Sequence, residues 1–299
     1  MRPWPAAVTV SRMVGIGQTP PGGTPARATG IGATTLRDVT EDGPHLLDRN
    51  LLLLVTVGQG GQEIDFVRHD CRPGTLLWAR PGQAIRLNRR GLDAVLISWR
   101  PEDLPDDRWQ PTGRSGWQLA GEDEDAVISE VSQLVVDRER HAGTPLADDL
   151  LRHQLTVLML RIALLTGGTA VHPDTFHAFT VAVEQRYAVT RRVEEYAREV
   201  GCSVRTLTRA CLAATGRSAK QVIDDRVALQ ASRLLACTDT PIAEIGRALG
   251  FPEPTNFGRF FHRETGHSPG AFRSALTGQP LDAYDPGPHR LRTTAFHKI

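Results

Sequence analysis

The chain carries one unit twice, with the copies about fifty residues apart. Set against each other, Val193 to Gly201 and Ile242 to Gly250 pair every apolar position with an apolar or small one. One residue further out of step, Leu207, Arg209, Cys211, Thr215, Gly216 and Ser218 fall on Phe257, Arg259, Phe261, Thr265, Gly266 and Ser268. A duplication of this length constrains the fold more tightly than composition does, because each copy has to close the same small hydrophobic joint.

Each position in the unit has a physical reason. Where two short helices cross at a steep angle, the contact admits only a small side chain, and Ala197 and Gly246 supply it. Four residues on, the chain turns sharply, and Gly201 and Gly250 enter positive φ at little cost. Ser203 then caps the next helix by accepting a backbone N–H, and Val204, Leu207 and Cys211 recur at helical spacing to pack it down. Arg205, Thr206, Thr208 and Arg209 are left facing outward. In the second copy the turn is one residue longer, Phe251-Pro252-Glu253, and the helix from Pro254 to Phe261 turns Thr255, Asn256 and Arg259 outward. Arg, Asn and Thr are the side chains suited to base edges and phosphates. The spacing predicts two helix-turn-helix units.

Between the copies, Ser218 to Cys237 places Ile223, Val227, Ala231, Leu234 and Leu235 at helical spacing, with Asp224, Asp225, Arg226 and Arg233 on the other side. Roughly 19 helical residues span about 28 Å, and successive major grooves on one face of B-DNA are ~34 Å apart. Such a connector can hold two recognition helices in neighbouring grooves. The competing reading is an all-α domain with two incidental hairpins, which requires neither a repeated exposed Arg nor a repeated Thr-Gly-x-Ser. Phosphate contacts are expected from Lys220 and Arg263 and from capped helix N-termini at Ser203, Ser218 and Ser268, which can offer free N–H groups to an anion.

At these residues the sequence resembles the C-terminal domain of the AraC/XylS family of transcription regulators. The second copy carries the likeness most fully: Ile242-Ala243-x-Ile245, Gly250-Phe251, Asn256-Phe257-x-Arg259-x-Phe261, Gly266-x-Ser268-Pro269 and Phe272-Arg273. It covers about a third of the chain, from near Phe176 to Arg273. The resemblance implies seven helices, the third and sixth reading successive major grooves of double-stranded promoter DNA. It places Arg205, Thr206, Thr208 and Arg209, with Thr255, Asn256 and Arg259, at base- or backbone-contacting positions, and implies a homodimer with RNA polymerase among its partners. Gly246 departs from the usual Ala, which by helix propensity loosens that helix by ~1 kcal/mol. Pro252 and Pro254 also depart, removing N–H donors at the start of the second reading helix.

The chain of 299 residues is long enough for two domains with ordinary cores. Its net charge is +1, but residues 174–276 hold fourteen Lys/Arg against eleven Asp/Glu, while residues 1–173 hold eighteen against twenty-one. So weak an excess predicts modest non-specific DNA affinity, with specificity resting on placed arginines. Lys occurs only at positions 220 and 298, a bias that a GC-rich coding sequence explains. Cys71, Cys202, Cys211 and Cys237 form no C-x-x-C pair or zinc spacing and read as small buried hydrophobes in a reducing setting. No continuous apolar h-region follows Arg2 and Arg12, and the longest apolar stretch is interrupted by Arg161, so neither export nor a membrane span is expected. The expected location is cytoplasmic, on the bacterial nucleoid.

Residues 1–33 are rich in Gly, Pro, Thr and Ala and predict an arm too poor in apolar residues to fold alone, either simply disordered or, as the family resemblance implies, closing over a ligand or touching the DNA-binding domain; Met13 is an alternative start. From Leu46 to Trp99 short apolar runs alternate with turns: strands over Leu51 to Val57, Glu63 to Val67, Thr75 to Ala79, Ala84 to Leu87 and Ala94 to Trp99. This reads as a small antiparallel barrel or sandwich, and the Pro-Gly turns bracketing Leu76-Leu77-Trp78 resemble a cupin-like sensing domain. Trp78, Arg80, Arg86 and Trp99 are candidates to line a pocket for a sugar, an aromatic acid or another anion. Two helices follow, the first opened by Glu122-Asp123-Glu124-Asp125, whose acids complement the helix N-terminus, and the second over Thr144 to Thr166. In the second, Leu151, Leu155, Leu158, Ile162 and Leu165 form a short heptad seam that either packs on the first helix and the barrel or makes a dimer; the family resemblance favours the dimer. The expected organisation is an arm over 1–33, a cupin-like sensing and dimerisation domain over 34–166, a linker over 167–173, an all-α domain with two helix-turn-helix motifs over 174–276, and a tail over 277–299.

These features point to a regulator answering to a small molecule. One alternative is control by a protein partner through the first domain. Another is a barrel enzyme fused to a DNA-targeting domain, which would need a metal or a nucleophile. Only His69-x-Cys71 approaches a metal motif, and the sequence holds no G-x-S-x-G, H-E-x-x-H, Walker loop or dinucleotide fingerprint, so no catalytic residue, metal or cofactor is expected.

Overall fold

A computed structural model describes residues 30–40, 43–104, 114–165 and 174–276. The linker over 167–173, the tail over 277–299 and all but the last few residues of the N-terminal arm, Met13 included, lie outside the described residues. The chain divides into two compact units, one formed mostly before Ala170 and the other from Val171 onward.

The first unit contains strands β1 (Gly32–Thr35), β2 (His45–Leu46), β3 (Asn50–Gly58), β4 (Gly60–Ile64), β5 (Val67–Cys71), β6 (Thr75–Ala79), β7 (Ala84–Arg86), β8 (Leu92–Trp99) and β9 (Gly116–Gln118). They form a five-stranded sheet in the order β1-β8-β3-β6-β9 and a four-stranded sheet in the order β2-β7-β4-β5. Because β1 already includes Gly32 and Ala33, the expected arm ends before residue 33.

Period-two alternation divides the five-stranded sheet between two cores. Leu51, Leu53, Val55, Leu77, Ala79, Leu92, Ala94 and Leu96 meet Ile64, Cys71 and Ile85 of the other sheet. Leu52, Leu54, Leu76, Trp78, Val95, Ile97 and Trp99 instead face helices α1 (Glu122–Arg140) and α2 (Pro145–Leu165), joining Val127, Val131, Leu134, Leu151, Leu155, Leu158 and Ile162.

Two expectations are corrected here. The single strand expected over Glu63 to Val67 is broken by a hairpin turn at Asp65 and Phe66, at φ 50° and 64°, between the end of β4 and the start of β5. Such a turn favours Asn-Gly; here the Asp65 carboxylate is held instead by Gln83 Nε2 at 2.6 Å and the Ala84 N–H at 3.0 Å. The α2 seam is also not free for a partner. Leu151 is 4% exposed and Leu155, Leu158 and Ile162 are 0% exposed in the chain's own core, with Leu165 packed against it. Heptad spacing marks a helix-packing face, and α1 with the sheet satisfies it within one chain.

The second unit contains α3 (Thr175–Arg186), α4 (Val193–Glu199), α5 (Val204–Thr215), α6 (Ala219–Cys237), α7 (Ile242–Ala248), α8 (Pro254–Thr265) and α9 (Pro269–Leu276), the seven helices expected. α6 is central, packed by α3, α5, α7, α8 and α9. The polar side expected on it is therefore buried: Asp224, Asp225, Arg226 and Arg233 are each under a tenth exposed. Pairing makes that burial tolerable. Arg217 Nη2 donates to Asp225 Oδ1 at 2.8 Å, and Arg226 Nε donates to Glu184 Oε1 at 2.6 Å while its guanidinium lies 4.0 Å from the Tyr187 ring centroid.

Candidate nucleic-acid interface

The two motifs close the joints that the repeat predicts. In the first, Ala197 and Leu207 are buried at the crossing of α4 and α5, Gly201 turns at φ 73°, and Ser203 Oγ accepts the Thr206 N–H at 3.1 Å. In the second, a Cβ on Gly246 would stand 3.1 Å from Cβ and Cγ of Phe257, so the α7–α8 crossing is tight at this position. Gly250 turns at φ 78°, and a Cβ there would stand 2.8 Å from the Ala188 carbonyl oxygen. Pro254 occupies the first turn of α8, where a missing N–H breaks no helical hydrogen bond.

The repeated Thr-Gly-x-Ser is a helix stop and restart. Gly216 and Gly266 end α5 and α8 in the left-handed region. The Thr215 and Thr265 hydroxyls donate back to the Cys211 and Phe261 carbonyls and accept the Arg217 and His267 N–H groups. Ser218 Oγ then accepts the Gln221 N–H at 3.3 Å, and Ser268 Oγ the Ala271 N–H at 3.2 Å. The last signature residue, Arg273, donates to the carbonyls of Leu235 at 3.2 Å and Thr240 at 2.7 Å, closing the end of α6.

On the reading helices Arg205, Thr206 and Arg209 of α5 and Thr255, Asn256 and Arg259 of α8 are exposed, while Thr208 is half-buried. Val204, expected to pack inward, is 39% exposed and borders the same face, as does Leu212 at 48%. Sequence reasoning missed the acidic partner of two expected phosphate contacts: Lys220 Nζ pairs with Asp224 Oδ1, and Arg263 Nη2 reaches Asp224 Oδ2 at 3.4 Å and Glu264 Oε1 at 2.6 Å. The i,i+4 spacing of Lys220 and Asp224 was the available signal for the first. It missed Arg191 too, whose guanidinium lies 3.7 Å from the Phe251 ring centroid and donates to the Gly250 carbonyl at 3.3 Å.

Of the four pocket candidates of the first unit, Trp78, Trp99 and Arg80 come together and Arg86 does not join them. Trp78 and Trp99 lie on the helix-facing side of the sheet, with ring centroids 5.8 Å apart, and Trp78 Nε1 donates to Asn50 Oδ1 at 3.0 Å. The Arg80 guanidinium stacks 4.7 Å from the Trp78 centroid, where burial pushes its pKa down to about 10. Arg86 belongs to the other sheet. Burial pushes the Cys71 thiol, near the site of the His69-x-Cys71 pattern, up to about 11. Among the described residues no group of three His, Cys, Asp or Glu is placed to hold a metal, and no helix is long and apolar enough to cross a membrane.

Two helix-turn-helix motifs on one shared helix, each with an exposed polar second helix, define a nucleic-acid-reading unit. Residues 196–275 match the family model described as a helix-turn-helix domain. Over 86 residues the chain is 41% identical to the ornithine utilization regulator of Pseudomonas aeruginosa, a stretch that is 28% of this chain and 24% of that protein, so the chain spans about a quarter of its relative's length. Among solved structures, the DNA-binding domain of AdpA in complex with a target DNA is 31% identical, covering 34% of this chain and 93% of that one with a TM-score of 0.32. ToxT from Vibrio cholerae O395 is 12% identical over 84% of this chain and 99% of that one, with a TM-score of 0.46. The C-terminal unit is a helix-turn-helix domain of the AraC type.

Proposed function

We propose that the protein is a sequence-specific DNA-binding transcription regulator whose response is set by a small molecule bound to the N-terminal unit. The observation that carries the reading is the pair of exposed polar faces on α5 and α8, each held by its own closed joint to one buried connector. Arg205, Thr206, Thr208 and Arg209 meet one major groove, and Thr255, Asn256 and Arg259 the next. Around them Ser203, Ser218 and Ser268 cap helices whose first N–H groups face phosphate, and Lys220 and Arg263 supply positive charge.

Homodimerisation is assigned to the outward face of α2, where Leu146, Leu150, Val157, Leu160 and Leu164 are all exposed. These residues keep a heptad register along the 21-residue helix, and a second copy of the same helix matches such a stripe in length and chemistry.

The test begins with a site selected from random duplex by the full-length protein. On it Arg209→Ala and Arg259→Ala should each cost about 1–3 kcal/mol of binding free energy and relax preference at one base pair. Unchanged affinity of both variants for selected and random duplex overturns the reading.

A further inference from the structure

Arg86 stands apart from the other charged side chains of the first unit. It is the register partner of Glu63, one step along from the pair Ile64 and Ile85, and Glu63 is in turn the partner of Arg68. Since Ile64 and Ile85 fill the core between the sheets, alternation puts Glu63, Arg68 and Arg86 together on the opposite face of the four-stranded sheet. Arg86 and Glu63 are only 4% and 5% exposed. Nε, Nη1 and Nη2 of Arg86 are all shut off from solvent, yet none has a hydrogen-bond partner among the described residues, and the guanidinium does not close into an ion pair with Glu63. Arg68 instead turns to Asp70 at 3.6 Å.

A buried guanidinium with no acceptor is costly to the fold and is rarely kept without a use. Its planar fork of donors fits a carboxylate. A bare anion, however, would enter beside the Glu63 carboxylate. Cross-strand partners carry their Cβ atoms about 5 Å apart on one face, so the two head groups fall within the span of one small molecule bearing both charges. Burial pushes the Glu63 carboxyl up against the pull of Arg86 and Arg68, and a bound ammonium would offset that burden.

We propose that Arg86 and Glu63 form the head-group site for a small zwitterion of the α-amino-acid type, Arg86 taking the carboxylate and Glu63 the ammonium. The proposal rests on the reading of the N-terminal unit as a small-molecule sensor and names the class of molecule.

The test uses the full-length protein and thermal unfolding with each standard L-amino acid, with propionate and ethylamine as single-charge controls and a parallel set of sugars and aromatic acids. At least one amino acid should raise the midpoint, and neither control should do so. Glu63→Gln should weaken that amino acid about tenfold or more, and Arg86→Met should abolish the shift. Without ligand, Arg86→Met should keep the wild type's far-UV circular dichroism and a single cooperative melt, which shows that lost binding is not lost folding. The site is overturned if no amino acid shifts the wild type, if propionate binds as well, or if Arg86→Met keeps the shift. A sugar or aromatic acid whose shift survives Arg86→Met overturns this site while leaving the sensor reading in place.

Discussion

Gly246 and Gly250 are four residues apart and answer to different constraints. Gly250 combines a positive φ with a backbone carbonyl 2.8 Å from where a Cβ would sit, so Gly250→Ala should cost about 1–3 kcal/mol in urea unfolding. Gly246 meets side-chain atoms rather than backbone, Phe257 Cβ and Cγ at 3.1 Å, and helix propensity returns up to ~1 kcal/mol on adding a methyl group. Gly246→Ala should therefore be the milder change, and the reverse order would contradict the packing described for the α7–α8 joint. Cysteine reactivity offers a second check. Burial pushes the thiols of Cys71 and Cys211 up to about 11 and about 12, whereas Cys202 and Cys237 are half-buried. A thiolate-seeking reagent at pH 8 should label Cys202 and Cys237 first, leaving the other two slower by about tenfold or more until the protein unfolds. Residues such as Ser203, Leu207 and Cys211 were legible in the sequence because their roles depend on neighbours three or four positions away. Asp65 was not, because what stabilises its positive φ is Gln83, a contact that no local pattern encodes.

α6 shows why a periodic pattern can be read correctly and still mislead about what surrounds it. Its apolar spacing predicted the helix and put Asp224, Asp225, Arg226 and Arg233 on the other side, where they are buried and Asp225 and Arg226 meet charged or aromatic partners. Asp224 has the clearest consequence. It pairs with Lys220, whose side chain is otherwise 51% exposed, while Arg263, 63% exposed, reaches it at 3.4 Å and sits closer to Glu264 at 2.6 Å. Asp224→Asn should free Lys220 for phosphate, leaving Arg263 on Glu264, and steepen the dependence of log affinity on log salt by about one, measured by anisotropy titrations across a salt series. An unchanged slope would remove Lys220 from the phosphate-contacting set. In α2 the heptad seam was likewise legible, but the direction it faces was not, because α1 and a potential second copy make the same demand on spacing. The outward stripe gives the corresponding test. Leu160 and Leu164 are 44% and 81% exposed, so converting both to Glu should leave the fold intact while shifting sedimentation from dimer to monomer.

For the whole molecule, the reading units and the assembly should separate in a selection experiment. Full-length protein should recover paired half-sites from random duplex, whereas a fragment of residues 174–276 should recover one half-site at lower affinity. Identical motif lengths from the two would remove the dimer from the account. A last consequence follows from the enclosure of α6 by both motifs. Because α5, α7 and α8 all lean on the same buried rod, the proposed function implies that a substitution disturbing its interior should weaken the grip on both grooves at once. Variants that shorten the footprint to a single groove are then accessible through the outer surfaces of α5 or α8, while damage to the shared axle silences the promoter contact as a whole.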